Sequence, residues 1–193
     1  GGPFLAGSLF TAVDAFFAPV VFRVQTYQLS LSPPAMAYQQ RLIELPAMRR
    51  NLALARRHAR GRFVWAVVKA NAYGHGLVRA TRAFAEADGL ALLDLDEAQR
   101  ARDAGWSRPI LLLEGCFEPR DLEAVAALKL TPVVHNTEQI DLLERARLPA
   151  PIDVYLKFNT GMNRLGFDAR NAEDARLAYQ RVKASTNVAQ LTL

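Results

Sequence analysis

The chain has 193 residues, which is enough for one or two domains that bury a sizeable core. Hydrophobic residues make up 51% and charged residues 22%, as is typical of a globular protein that folds in water. A single cysteine, Cys116, excludes an internal disulfide and a cysteine-based zinc site, and the three histidines are scattered, so no metal site is predicted.

The net charge of +5 comes from many arginines, several of which lie between residues 49 and 62. Clustered arginines can bind nucleic acid. Residues 51–58, however, have the pattern of a helix whose polar face alternates with Leu52, Leu54 and alanines, and they offer no aromatic side chain for stacking bases. We therefore expect a solvated helix face and no nucleic-acid partner.

The apolar stretch at residues 9–22 is too short to span a bilayer, and Asp14 and Pro19 interrupt it. It also lacks the basic leading region of a signal peptide. We therefore predict no membrane partner and a cytoplasmic location.

Residues 1–48 are predicted to form helices. Thr11 and Asp14 have the spacing of a capping box, in which Asp takes the place of the usual Glu, so a helix should begin after Thr11. Ser32 followed by Pro33 indicates a second helix start, because proline is tolerated in the first helical turn. Apolar residues at helical spacing continue this second helix up to Leu45-Pro46.

From residue 63 onward, short apolar runs alternate with amphipathic stretches. Helices are predicted from about Asp94 to Gly105, over 119–129, after Asn136 with Gln139 at capping-box spacing, and from 171 to about 183. Continuous apolar strands between helices indicate an α/β fold with a parallel sheet, which is either open or part of a barrel. The predicted strands are 63–68, 90–95, 110–113, 132–135, 152–158 and 188–193.

The first predicted strand leads directly to Lys69 and a glycine-bearing loop that ends at residue 76. An apolar wall along a lysine stem disfavours the ammonium form and leaves a nucleophilic amine, as Schiff-base chemistry requires. The alternative is a surface lysine that packs its stem on the strand end and keeps its charge in water.

Residues 154–167 repeat this layout of an apolar strand, a polar exit and a glycine loop. Lys157 and Arg164 bring two cations to the strand end, with few acidic residues nearby in sequence. Such a pair suits a bound anion, for example a phenolate or a carboxylate. The alternative is a basic loop that is simply solvated.

Both stretches resemble signatures of one family. Residues 67–76, VVKANAYGHG, resemble the cofactor-lysine motif of the alanine racemases, which are pyridoxal-phosphate (PLP) enzymes. Residues 156–166, LKFNTGMNRLG, resemble the second signature of that family. The resemblance extends roughly from residue 51 to residue 193. It implies an incomplete (β/α)8 barrel with the first five to six strands, in which functional groups lie at the carboxyl ends of the strands.

The resemblance also implies roles for individual residues. Lys69 carries PLP covalently and acts as a base on one face of the substrate, while Tyr73 donates its hydroxyl to the cofactor phosphate. Arg164 donates to the phenolic oxygen of PLP and keeps the substrate region positive. Met162 lies where the family backbone approaches the substrate carboxylate, and Lys157 matches a lysine that is often carbamylated to orient the arginine.

Three further residues are interpreted as scaffold. Glu114 is predicted to be a hydrogen-bonded acid at a strand end, and His135 a residue that positions a loop. Cys116 is interpreted as a small loop residue.

The implied activity is the interconversion of L-alanine and D-alanine, which supplies D-alanine for cell-wall peptidoglycan, in a family whose members form homodimers. In that family, segments beyond the similarity contribute a histidine on the pyridine ring, a phosphate loop and a β domain that lends a tyrosine to the partner subunit. We therefore expect a truncated portion that is inactive alone. The alternatives are a non-catalytic fusion fragment and another barrel-type PLP enzyme or PLP-homeostasis protein, although the latter generally lack the AYGHG and GMxRLG motifs.

Residues 1–50 resemble a different family. The stretch FTAVDAFFAPV at residues 10–20, followed by residues 23–27 and 45–49, resembles the C-terminal helical domain of glutathione S-transferases. The glutathione-binding half of that family has no counterpart here, so no transferase activity is implied. We predict an all-α segment over residues 1–50 and the racemase-like barrel portion over 51–193, joined by a fusion of reading frames near residue 50.

Overall fold

The computed structural model describes residues 2–9, 11–44 and 47–193. The chain forms two compact units, Gly1–Ala87 and Asp88–Leu193. The division predicted at residue 50 from the two family resemblances stays a prediction.

The first unit begins with the helices that the sequence predicts. Its elements are α1 (Ala12–Thr26), α2 (Pro33–Glu44), α3 (Ala47–Ala59), β1 (Trp65–Val67), a short left-handed turn α4 (Lys69–Tyr73) and α5 (Leu77–Ala83). The starts of α1 and α2 confirm the predictions from Thr11 and Pro33. The predicted end of α2 at Leu45-Pro46 lies outside the described residues.

The capping pair predicted for α1 is present. The backbone N–H and the hydroxyl of Thr11 both donate to the Asp14 carboxylate, each at 2.9 Å. Tyr38 of α2 donates its hydroxyl to the same carboxylate at 3.0 Å. Asp14 therefore caps α1 and joins it to α2.

The second unit alternates strands and helices. Its elements are β2 (Gly89–Leu92), α6 (Leu95–Asp103), β3 (Ile110–Leu112), α7 (Pro119–Leu128), β4 (Thr131–Val134), α8 (Thr137–Arg145), β5 (Ile152–Leu156), β6 (Phe158–Asn159), β7 (Phe167–Asp168), α9 (Ala172–Ala184) and β8 (Val188–Thr192). Strands β2, β3, β4, β5 and β8 lie side by side in that order, and every pairing is parallel. This arrangement confirms the predicted α/β class.

Apolar residues on both faces of the strands supply the core of the second unit, because helices cover a parallel sheet on its faces. Strand and helix residues contribute alike, and the largest fully buried side chains of this unit are those of Leu90, Leu92, Ile110, Leu112, Val125, Ile140, Leu143, Val154, Leu156 and Val182. The continuous apolar runs of β2, β3 and β4 therefore correspond to buried strands, whereas β5 alternates between buried and more exposed residues and β8 is partly exposed.

The predicted starts of α6 and α8 are confirmed by their caps. The Asp94 side chain accepts from the Glu97 N–H at 2.7 Å, and the Asn136 side chain accepts from the Gln139 N–H at 2.9 Å. The capping box predicted for Gln139 is wrong in one respect. Its Oε1 accepts from the His135 N–H at 2.9 Å and its Nε2 donates to the Glu114 carbonyl at 2.7 Å. The side chain is buried, so it satisfies backbone groups at two neighbouring strand ends.

Within residues 2–9, 11–44 and 47–193, every helix is too short or too polar to cross a lipid bilayer.

Candidate functional site

Lys69 lies two residues after the end of β1 in the first unit. Val68, between the strand and the lysine, is fully buried, while Lys69 itself is half-buried. The Lys69 Nζ is 6.0 Å from the centroid of the Tyr73 ring. Tyr73 is 54% exposed. An amine and a phenol are thus brought together on one turn of backbone.

That turn has an unusual conformation. Ala70, Asn71, Ala72 and Tyr73 have φ angles of 53°, 54°, 55° and 54°. L-residues avoid this left-handed region, which costs about 1–2 kcal/mol per residue. Strained backbone of this kind clusters at functional sites, where the surrounding structure holds it in place.

Two backbone hydrogen bonds close the left-handed turn. The Ala72 N–H donates to the Val68 carbonyl at 2.8 Å, and the Gly74 N–H donates to the Ala70 carbonyl at 3.1 Å. Sequence reasoning missed this conformation. The asparagine at 71 and the glycine at 74 were the available signals, because both residue types tolerate positive φ.

The second candidate group lies between β5 and β7 in the second unit. Lys157 follows β5, its N–H donates to the Val134 carbonyl at 2.9 Å, and its carbonyl accepts from the Phe167 N–H at 3.0 Å. Met162 and Arg164 are exposed in the loop between β6 and β7. Lys157 therefore lies just before β6, and Met162 and Arg164 lie just after it, within eight residues of one another in sequence.

Asn159 organises this loop, and sequence reasoning did not identify it. Its Oδ1 accepts from the Gly161 N–H and from the Asn163 N–H, each at 3.0 Å. Its Nδ2 donates to the Asn163 Oδ1 at 2.9 Å. At Gly166 the backbone passes so close that a Cβ atom would lie 2.7 Å from the Asn159 nitrogen, which only glycine permits.

The chemistry of these groups fits pyridoxal phosphate. A half-buried lysine amine suits an aldehyde, and a phenol hydroxyl within the same turn suits a phosphate ester. An exposed guanidinium suits a phenolate or a carboxylate. The first two groups are assembled within the first unit, and Lys157, Met162 and Arg164 within the second.

The residues interpreted as scaffold also form contacts. The His135 Nε2 lies 3.0 Å from the Glu114 carbonyl oxygen, and because a carbonyl only accepts, this nitrogen carries the hydrogen. His135 thus donates to the backbone carbonyl of Glu114 and not to its carboxylate. Burial, together with the charge of Asp121, raises the pKa of the Cys116 thiol to about 12, so this thiol is a poor nucleophile.

A further titratable group belongs to the lysine motif. Burial first, and then the charge of Arg79, lowers the pKa of His75. The imidazole is therefore neutral at pH 7, and it adds no positive charge beside the lysine turn.

A family model described as alanine racemase, N-terminal domain, matches residues 43–193. The chain belongs to the alanine racemase family. An alanine racemase from Erwinia tasmaniensis is 52% identical over 151 residues, which are 78% of this chain and 42% of that protein. The chain thus spans about two fifths of the length of this curated relative.

Solved structures agree with this family assignment. The biosynthetic alanine racemase from Pseudomonas aeruginosa has a TM-score of 0.70 and 42% sequence identity, over 76% of this chain and 40% of that one. A histidine racemase from Leuconostoc mesenteroides has a TM-score of 0.62 and 32% identity, over 74% of this chain and 38% of that one. The matched part of this chain therefore has the fold of the corresponding part of these racemases, in agreement with the predicted partial barrel.

Proposed function

We propose that this chain is the cofactor-binding part of an alanine racemase and that Lys69 binds pyridoxal phosphate covalently. The observation that carries this proposal is the Lys69 amine 6.0 Å from the Tyr73 ring on one strained turn. The family match over residues 43–193 supports it. Racemisation of alanine by the whole protein, its role in D-alanine supply for peptidoglycan, its homodimeric assembly and its cytoplasmic location are parts of the same proposal.

Lys69 and Tyr73 have distinct tasks in this reaction. Bound PLP supplies the electron sink that lets a proton leave the Cα atom of alanine. The Lys69 Nζ would hold the cofactor aldehyde and would accept or return the Cα proton on one face of the substrate. The Tyr73 hydroxyl donates a hydrogen bond to the phosphate. Proton exchange on the opposite face needs a second group, which we assign to another segment of the whole protein.

The loop between β6 and β7 supplies the complementary charge. We assign to the exposed Arg164 guanidinium a hydrogen bond to the phenolic oxygen of PLP and a positive field around the substrate. The Met162 backbone is assigned to the substrate carboxylate. Lys157 is proposed to carry a carbamate that accepts from Arg164 and orients it.

The test locates the cofactor chemically. The purified protein is incubated with PLP and reduced with borohydride, and mass spectrometry finds the pyridoxyl group. We expect it on Lys69. In the whole protein, Lys69→Ala should abolish the visible cofactor absorbance and lower alanine racemisation by about 10³-fold or more. L-histidine serves as the comparison substrate, because one structural relative is a histidine racemase.

Lys183→Ala is the matched control, because the Lys183 Nζ lies 5.3 Å from the Tyr179 ring in a similar lysine–tyrosine pair on α9. After incubation with PLP and reduction, this variant should carry the pyridoxyl group on Lys69, as the parent protein does. Pyridoxyl on another side chain would overturn the proposal. No adduct, together with poor thermal cooperativity, would favour a non-catalytic fragment, and an adduct without racemisation in the whole protein would favour a PLP-homeostasis role.

We propose that residues 1–50 derive from a glutathione S-transferase helical domain and take no part in cofactor binding. The support is their helical character, with α1 and α2 joined through Asp14 and Tyr38. A chain that begins at residue 43, where the family match starts, should still label on Lys69. Loss of labelling in a folded chain of this kind, as judged by circular dichroism, would contradict the proposal.

A further inference from the structure

Asn71 lies inside the left-handed turn, between Lys69 and Tyr73. Its backbone carbonyl accepts from the Gly76 N–H at 2.9 Å and from the Gly74 N–H at 3.2 Å. Its side-chain Oδ1 accepts from the Leu77 N–H at 2.8 Å. One residue therefore links the middle of the turn to the first residue of α5.

The residue type suits the position for two reasons. Asparagine tolerates the left-handed region better than other non-glycine residues, and Asn71 has a φ of 54°. Asparagine is also a strong helix cap. The N-cap position of α5 is Gly76, which has no side chain, so the Asn71 amide takes over capping from six residues before Leu77.

The contact connects a strained segment to a rigid one. Leu77 is 1% exposed and Ala80, one turn later, is fully buried, so side chains at the start of α5 are fixed by packing. Lys69 and Tyr73 are half-buried and exposed, and neither is fixed by packing to the same extent. The bond from Leu77 to Asn71 transmits the fixed position of the helix to the turn that carries the amine and the phenol.

We propose that Asn71 is a positioning residue that holds the Lys69 amine and the Tyr73 hydroxyl in one mutual orientation by tying their turn to α5. This inference rests on the proposed function, since the orientation matters for a ligand that has an aldehyde and a phosphate. Pyridoxal, which lacks the phosphate, needs only the amine. If the amine and the hydroxyl are correctly oriented, the protein should bind PLP more tightly than pyridoxal at Lys69. We call the ratio of the two dissociation constants the PLP/pyridoxal preference.

The experiment measures that preference in the 193-residue protein. Dissociation constants for PLP and for pyridoxal are obtained from the visible absorbance, and borohydride reduction confirms Lys69 as the site. Asn71→Ala loses both the cap and the tolerance of positive φ, whereas Asn71→Gly loses only the cap. We expect the PLP/pyridoxal preference to fall about tenfold in Asn71→Ala, and also to fall in Asn71→Gly, because a lost cap and a lost turn conformation each disorder the pair.

Asn136→Ala is the matched control, because the Asn136 side chain caps α8 through the Gln139 N–H in the same way, at 2.9 Å. This variant should lose stability without changing the preference. A general loss of stability weakens both ligands equally and leaves the ratio constant, so an unchanged ratio in Asn71→Ala overturns the inference. A ratio that falls in Asn71→Ala but not in Asn71→Gly overturns it too, because backbone conformation alone then sets the orientation.

A second readout needs no ligand. Amide hydrogen exchange over residues 69–77 should accelerate in Asn71→Ala and Asn71→Gly, and it should stay slow in Asn71→Asp, since aspartate caps as well as asparagine. If the parent protein forms no adduct on Lys69, the proposed function fails, and exchange then decides the inference by itself. Exchange that is equally slow in all three variants would overturn it.

Discussion

Asp14 shows how much of the first unit depends on one carboxylate that is shielded from solvent. It accepts hydrogen bonds from the Leu5 N–H, the Thr11 N–H and hydroxyl, and the Tyr38 hydroxyl. Burial alone raises the pKa of Asp14, but these hydrogen bonds outweigh burial and lower the pKa to about 2. Burial and the nearby carboxylate raise the pKa of Tyr38 to about 12. The pair therefore persists across the neutral pH range.

The pKa of Asp14 predicts an acid-dependent loss of stability. The carboxylate titrates at a lower pH in the folded state than in the unfolded chain, so its contribution is complete above about pH 4 and is lost as the pH falls towards 2. Asp14→Asn should lower the melting temperature by several degrees at pH 7. Thermal melts from pH 7 to pH 2 should show the two proteins converging.

The control for this prediction is Asp96→Asn, because the Asp96 side chain is 82% exposed and pairs only over 3.9 Å with Arg100. Its melting temperature should follow that of the parent at every pH. A difference between Asp14→Asn and the parent that is as large at pH 2 as at pH 7 would contradict the assignment.

At the scale of elements, two very short strands close the loop that holds Arg164. Phe158 of β6 pairs with Phe167 of β7, and Asn159 pairs with Asp168, in parallel register. The two phenyl rings are 6.4 Å apart between centroids. Two pairs of residues therefore hold the two ends of the loop together without a longer strand pairing.

Alanine substitutions at two glycines of this loop separate the cost of a positive φ angle from the cost of a steric clash at the new Cβ atom. Gly161 and Gly166 have φ angles of +127° and +116°, but a Cβ atom meets nothing within 4 Å at Gly161, whereas at Gly166 it meets the Asn159 nitrogen at 2.7 Å. Gly161→Ala should lower the free energy of unfolding by about 1 kcal/mol, and Gly166→Ala by about 3 kcal/mol. Urea titration measures both, and equal losses would refute the close approach.

A set of hydrogen bonds from Arg102 stabilises the amino ends of the strands in the second unit, at the opposite end from the loop that holds Arg164. The Arg102 guanidinium on α6 donates to four carbonyls near the amino ends of β3 and β4, namely those of Trp106, Arg108, Leu128 and Lys129. In barrel folds, function lies at the carboxyl ends of the strands and the amino ends serve stability. Arg102 lies at the amino ends of the strands, so we interpret its hydrogen bonds as stabilising the fold.

At the scale of the whole molecule, charge is unevenly divided. Residues 1–87 contain 11 of the 24 basic residues and 3 of the 19 acidic ones, whereas residues 88–193 contain 13 and 16. The first unit, which carries Lys69, is therefore strongly basic, while the second is weakly acidic. A basic unit raises the local concentration of an anion such as a phosphate ester.

The core of the second unit sets the stability of the parallel sheet. Leu112 of β3 is 1% exposed and Leu177 of α9 is 52% exposed. Leu112→Ala should reduce the free energy of unfolding by about 3 kcal/mol, because it removes buried methyl groups and leaves a cavity. Leu177→Ala should cost at most about 0.5 kcal/mol. Urea titration distinguishes the two, and comparable losses would contradict the burial described for the sheet.

The sequence by itself determined the local elements and the family. Apolar runs predicted five parallel strands of the second unit, and Thr11, Asp94 and Asn136 predicted helix starts, because capping depends on residues only three positions apart. The two signature motifs predicted the alanine racemase family from residues 67–76 and 156–166. The role of each site residue in those motifs stays a prediction.

The tertiary structure alone decided the features that depend on distant or strained contacts. The left-handed turn at Lys69–Tyr73 opposes the local preference of alanine and tyrosine, so only its surroundings select it. Gln139 satisfies the Glu114 carbonyl 25 residues away, which outweighs the capping box that its spacing predicts. Strands β6 and β7 have two residues each and leave no periodicity to read. Such contacts form only once the chain has folded, so patterns over a few neighbouring residues do not predict them.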